Sequence, residues 1–211
     1  MPATVLPGLY LLGSGGHARS VADVALSLGI TRLIFVDSNA EARSNMSGFT
    51  AIAELPRELE PGYKVMPAVG SASVRERLCA SVSPDMLATL IAPNATIGFG
   101  ATIGAATFVG HHAHIGPCAQ IADGVIVNTG AIIEHDCRIG SYSHVSVNST
   151  IAGGCRIGNR TFVGAGSVVI DGIEIADNVT IGAGATVIAS IHLAGTYVGT
   201  PARRRSDAPS G

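Results

Sequence analysis

The stretch Ile91-Ala92-Pro93-Asn94-Ala95-Thr96-Ile97-Gly98-Phe99-Gly100-Ala101-Thr102-Ile103 places a β-branched residue at every sixth position. The same phase continues through Val109, Ile115, Val127, Ile133 and Val145 to Ile181 and Val187 without a slip. A hexapeptide period of this kind predicts a parallel β-helix, in which each hexad supplies one short strand plus its corner and successive coils stack. Fourth positions favour residues that tolerate positive φ or tight turns, such as Gly100, Gly124, Asp136, Asn148 and Gly166, as a corner requires. Fifth positions are mostly small or branched (Ala95, Thr107, Ala119, Ser143, Ser149), so they can point inward beside the large first-position side chain. A prism of this design leaves flat faces, which favours a homo-oligomer over a monomer.

Before the hexads begin, the periodicities are those of an α/β unit. Leu9-Tyr10-Leu11-Leu12 reads as a buried strand, Gly13-Ser14-Gly15-Gly16-His17 as a turn, and Ala18 to Leu28 as a helix with Val21, Val24, Ala25 and Leu28 on one side. Leu33 to Asp37 is a second strand ending in an acid, and Val65 to Val69 a third. A helix over about residues 73–82 follows, and Met86 to Ile91 leads into the prism. Gly13-x-Gly15-x-x-Ala18 with Asp37 about 20 residues on satisfies the dinucleotide fingerprint, in which glycines let the backbone approach phosphate at a helix N-terminus. A segment this short offers only half of the usual dinucleotide fold. It therefore suits a smaller phosphate-bearing ligand, such as a nucleotide-linked sugar, better than NAD; the alternative is that the glycines only make the turn.

The 211 residues accommodate one domain of about 100–150 residues and a smaller one. With 47% hydrophobic and only 13% charged residues, much surface must be buried. A net charge of -2, with no basic cluster before the extreme C-terminus, argues against nucleic acid. No apolar run reaches the roughly 18 residues of a membrane span and no signal-like segment opens the chain, so the expectation is a cytoplasmic protein without a membrane partner. Cys79, Cys118, Cys137 and Cys155 lack metal-type spacing. Cys137 and Cys155, both at fifth positions three hexads apart, are expected to stack inside adjacent coils.

Function has to be sought where the hexads break. Second positions are usually Gly or Ala, yet Asn128 and Glu134 turn polar in consecutive hexads, and beside Glu134 stand His135 and Asp136. Departures from local rules are expected at functional sites. An imidazole flanked by carboxylates is equipped as a general base, because an acid fixes its tautomer and stabilises the imidazolium. His144 is the next polar ring along. His111, His112 and His114 raise the alternative of zinc between subunits and a lyase of the carbonic anhydrase type, but the His-x4-His pair of such prisms is absent. The trio reads as surface or interface residues, and no metal is expected.

The Gly13 to His17 turn, Phe35-Val36-Asp37, Ala68-Val69-Gly70 with Arg75, the Asn128 to Cys137 segment, Ser143 to Val147 and Val198-Gly199-Thr200-Pro201-Ala202 together resemble the bacterial sugar acyltransferases of the PglD/NeuD type. The resemblance spans nearly the whole chain. It implies a Rossmann-like nucleotide-sugar domain over residues 1–88, a left-handed β-helix over 89–195, a closing segment and tail over 196–211, and a homotrimer binding acetyl-CoA between neighbouring prisms. By match to the family's motifs, His135 is the expected general base and Asp136 the acid behind it. His144, Ala165 and Ala183 are expected at acetyl-CoA, and Gly13, Ser14, Gly15, Asp37, Ser38 and Gly70 around the acceptor. The implied activity is acetyl transfer from acetyl-CoA to the amine of a nucleotide-linked 4-amino-4,6-dideoxy sugar; the alternatives are O-acetylation of a sugar of the sialic acid type and a non-catalytic nucleotide-binding scaffold. Ser71-Ala72 stand where such enzymes often carry paired Asn residues, and Asn148 replaces a common Gly near the acyl site. The Arg203-Arg204-Arg205 run would lie near CoA phosphates or form a solvated tail.

Overall fold

The computed structural model describes residues 6–39, 41 and 48–205. The N-terminal unit is a four-stranded parallel sheet in which β1 (Leu9–Leu12) lies between β2 (Leu33–Val36) and β4 (Lys64–Pro67), with β3 (Thr50–Ile52) outside β2. Helix α1 (Gly16–Ser27) connects β1 to β2, and α2 (Ala72–Ala80) follows β4. Leu9 to Leu12 are all buried, consistent with a central strand covered on both faces. Element ends differ from the sequence reading by one or two residues, and two of these shifts bear on the site. Helix α1 starts at Gly16, taking His17 into its first turn, and β4 stops at Pro67, so Ala68 to Ser71 form a loop. The short, half-exposed β3 has no pattern long enough to read.

From Leu90 onward the chain is a left-handed parallel β-helix with three faces. The first face stacks Leu90–Ile91, Phe108–Val109, Ile126–Val127, His144–Val145, Phe162–Val163 and Val179–Ile181. The second runs from Thr96–Ile97 through Ile132–Ile133 to Thr186–Val187, and the third from Thr102–Ile103 through Arg138–Ile139 to Glu174–Ile175. Each coil takes eighteen residues, so Ile121 pairs with Ile139 and Ile139 with Ile157.

The corner rule is stricter than the sequence suggests. Every fourth position from Gly100 to Gly184 has positive φ, including residues as poorly suited to it as Tyr142 (φ 60°) and Arg160 (φ 52°). The left-handed conformation costs a non-glycine residue roughly 1–2 kcal/mol, so stacking of the coils dictates the corner and not the residue occupying it. Inside, first-position Ile and Val and fifth-position Ala, Ser and Thr are buried together. Cys137 and Cys155 sit there as free thiols, their Sγ atoms donating to the carbonyls of Ala152 (3.1 Å) and Ile170 (3.0 Å).

The outward side chains of the first face explain how the two units join. Leu90, Phe108 and Ile126 are at most 2% exposed because Ala18, Val21 and Ala25 of the N-terminal unit pack into the same cluster. Burying one such side chain contributes about 1.5–3 kcal/mol. The other two faces lack this cover, and Phe99 at the first corner between them is 78% exposed. At the far end Gly195–Val198 adds a parallel strand to Val179–Ile181, and Arg203–Arg204 folds back antiparallel against Tyr197 and Val198. Residues 206–211 of the expected tail, and 1–5 of the expected first domain, lie outside the described residues.

Candidate active site

His135 and Asp136 occupy the edge where the second face turns into the third, between Ile132–Ile133 and Arg138–Ile139. Asp136 is the positive-φ corner residue (φ 60°), and this conformation brings its carboxylate back to the neighbouring ring. His135 Nδ1 lies 2.8 Å from Asp136 Oδ2. With Nδ1–H donated to the carboxylate, the Nε2 lone pair is left for chemistry. The hydrogen bond that Asp136 accepts from the ring raises the His135 pKa above the ordinary histidine value. The backbone beneath is crowded. A Cβ on Gly116, one coil back, would lie 2.6 Å from the His135 nitrogen, and one on Gly153, one coil on, would lie 2.6 Å from ring atoms of His135.

His144 stands on the first face, at the junction with the N-terminal unit. Its Nε2 is 3.2 Å from the Asn128 amide nitrogen, which donates to it, and its other side meets the Gly70 backbone. The ring lies edge-on to Phe162 (centroids 5.1 Å apart) and 6.2 Å from the ring of His17, which itself lies edge-on to Phe108 at 5.1 Å. Burial pushes the His144 pKa down to about 3 and that of His17 to about 4, so both rings are neutral near pH 7. His17 Nε2 is buried without a hydrogen-bond partner among the described residues.

Arg75 of α2 locks this junction. It is fully buried, and its guanidinium donates to the carbonyls of Val69 (3.0 Å) and Gly70 (2.9 Å) in its own unit and of Gly124 (2.6 Å), Tyr142 and Ser143 (3.3 Å) in the prism. Burial lowers its pKa to about 10, still well above neutrality. One side chain therefore fixes both the Gly70 loop and the residue preceding His144.

The glycine-rich turn is tied to the end of β2. Asp37 Oδ2 accepts from the Ser14 N–H (3.0 Å) and hydroxyl (2.8 Å), and Oδ1 accepts from the Asn39 N–H (3.0 Å). Gly13 has φ 116° and a Cβ there would meet Val69 Cγ1 at 2.7 Å, so this glycine is demanded by the protein itself. Gly15, Gly16 and Gly70 differ, since a Cβ on any of them would meet none of the described residues within 4 Å. Internal packing does not explain their lack of a side chain, and a ligand approaching the α1 N-terminus would. Gly13, Asp37 and Ser38 line a cavity of about 470 Å³ at the carboxyl ends of the strands, where ligands bind in open α/β sheets.

The structure thus brings Gly13, Ser14, Asp37 and Ser38 together, with Gly70 bridging to His144. Ala165 and Ala183 fall on successive coils at the edge between the first and second faces. His135 and Asp136 lie on the edge opposite the first face and do not line the cavity beside Asp37. His17 and the partners of Arg75 were not anticipated; the signal for the first was a histidine directly after the glycine turn. His111 pairs with Asp23 and Asn94, His112 with the same Asn94 and His114 with Thr96, and no three metal-ligating side chains converge among the described residues. Among those residues no helix is long and apolar enough to cross a membrane.

Residues 8–82 match the family model of the PglD N-terminal domain, and residues 154–189 that of the bacterial transferase hexapeptide, six repeats. The acetyltransferase domain of PglB from Neisseria gonorrhoeae FA1090, solved also with acetyl coenzyme A, is 30% identical (TM-score 0.88, 94% of this chain and 100% of that one). PerB from Caulobacter crescentus, in complex with CoA and GDP-perosamine, is 28% identical (TM-score 0.85, 94% and 97%). WeeI from Acinetobacter baumannii AYE shares the fold at 18% identity (TM-score 0.61, 94% and 99%).

Proposed function

This chain belongs to the hexapeptide-repeat sugar acyltransferases of the PglD type, and from that premise we propose that it moves an acetyl group from acetyl-CoA to the amine of a nucleotide-linked 4-amino-4,6-dideoxy sugar. The observation carrying this reading is end-to-end similarity to acetyltransferases whose solved complexes hold acetyl coenzyme A, or CoA with GDP-perosamine.

In the proposed reaction the neutral sugar amine attacks the thioester carbonyl. The new C–N bond forms as the carbonyl electrons move to oxygen, and His135 Nε2 takes the amine proton. The oxyanion then collapses, the C–S bond breaks, and the thiolate leaves to recover the proton. The Asp136 carboxylate holds His135 in the tautomer with Nε2 open and stabilises its charged form. A backbone N–H near Ala165 or Ala183 would serve the oxyanion, and alignment of two large substrates would supply much of the acceleration.

The separation of His135 from the acceptor cavity within one chain supports a site completed between copies. We infer a homotrimer in which the His135 edge of one prism faces His144, Ala165 and the acceptor cavity of its neighbour, with no metal required. Purified protein mixed with acetyl-CoA and UDP-, dTDP- or GDP-linked 4-amino-4,6-dideoxy sugars should add one acetyl mass to one acceptor. That gain should vanish in His135→Ala, and light scattering should give three chains per particle. Acetyl transfer only to a sugar hydroxyl would replace this reading with O-acetylation.

A further inference from the structure

We propose that the cavity beside Asp37 takes a guanine base, and that Glu54 reads it. This rests on the nucleotide-sugar reading above and names the nucleotide. The cavity runs along the carboxyl ends of the four strands, with Val36 and Leu55 on one side and Val69, Val74 and Leu78 on the other. Apolar walls on both sides suit a flat heterocycle, and about 470 Å³ falls within the range of small-molecule sites.

Among the described residues no lysine or arginine lines this cavity, and the charged ones that do are Asp37 and Glu54. The open N-terminus of α1 at Gly15 and Gly16 offers a diphosphate backbone N–H groups and a positive dipole end, which leaves this apolar-walled cavity to the base. Both Asp37 oxygens accept from the backbone or hydroxyl groups of their own turn. Glu54, just past β3, is exposed and makes no ion pair with the described residues. A carboxylate can only accept, and it accepts best from two parallel N–H groups. Guanine offers that pair on one edge, N1–H and the N2 amino group. Uracil and thymine offer a single N3–H between two carbonyl oxygens, which a carboxylate repels. Adenine and cytosine each set one amino group beside a ring acceptor. Among the common bases guanine alone satisfies Glu54 with two bonds.

Calorimetric titration of the full chain with GDP, UDP and dTDP tests this, with Glu54→Gln alongside and acetyl-CoA binding as a control for the fold. GDP should bind at least tenfold more tightly than UDP or dTDP. Glu54→Gln should lose about tenfold in GDP affinity, the scale of one charge-assisted hydrogen bond, while its acetyl-CoA affinity is unchanged. Equal or tighter binding of UDP or dTDP, unaltered GDP affinity in the variant, or no binding of any of the three would overturn the assignment. Acetylation of a UDP- or dTDP-linked amino sugar would remove guanine and leave the acetyltransferase reading intact. GDP preference without acetyl transfer to any amine would do the reverse.

Discussion

The imidazole of His135 rests on Gly153, which holds the equivalent corner position one coil further on. A methyl group added there would lie 2.6 Å from both Cε1 and Nε2 of the ring. Gly153 is not among the residues with positive φ, so its backbone accepts other side chains. Its role is to leave room. Gly153→Ala should therefore fold normally and displace the ring, and a shift of about 1 Å can cost as much as 100-fold in rate. Steady-state kinetics with thermal melting check this, the expected result being a fall in kcat of at least tenfold with Tm within a few degrees.

Asp136→Asn keeps a residue comfortable at positive φ and removes the carboxylate whose hydrogen bond and charge raise the His135 pKa. The proposed general base His135 works in its neutral form, so activity is expected to rise with pH through this pKa. Without the carboxylate that rise should move to lower pH, toward the ordinary value of about 6.5, and the plateau should fall. His135→Ala should lower the plateau by about 100- to 10,000-fold. A pH profile of kcat/KM for the three proteins separates the effects.

Arg75→Met leaves carbonyls on both sides of the junction without their donor. The loss should be about 3 kcal/mol or more, or roughly 10 °C in Tm for a chain of this size. Lysine at this position keeps the charge but cannot span the same carbonyls, so it should recover only part of the loss. Differential scanning calorimetry of the two variants provides the measurement.

His17 and His144 make the junction acid-sensitive. Their folded pKa values, about 4 and about 3, lie below the ordinary value of about 6.5, so the unfolded chain binds protons first as pH falls. Their contribution is fully present above about pH 6.5 and is lost as pH drops toward 4, at up to about 1.4 kcal/mol per group per pH unit. Urea midpoints should decline from pH 7 to pH 5, and His17→Leu should flatten that decline.

The prism was legible because its order is local: one residue type at one phase, repeated. The His135–Asp136 pair was legible for the same reason, since two polar hexads stand out against a regular background. The junction was not. Arg75 finds its partners at Gly124, Tyr142 and Ser143, far along the chain, and nothing near Arg75 in sequence announces them. His17 looked like part of a turn because the residues that bury it, Phe108 and His144, belong to the other unit. The cavity wall after β3 escaped notice because a three-residue strand has no readable period.

The eighteen-residue register has a consequence for how such a chain can change length. Excising six residues between Cys137 and Ala165 would rotate every later corner by a third of a turn and carry Ala165 and Ala183 to a different edge. Excising eighteen would return each of them to its own edge, one storey lower. Length is thus inherited in whole storeys, and a single-residue indel in a strand acts on this architecture as a frameshift acts on a gene.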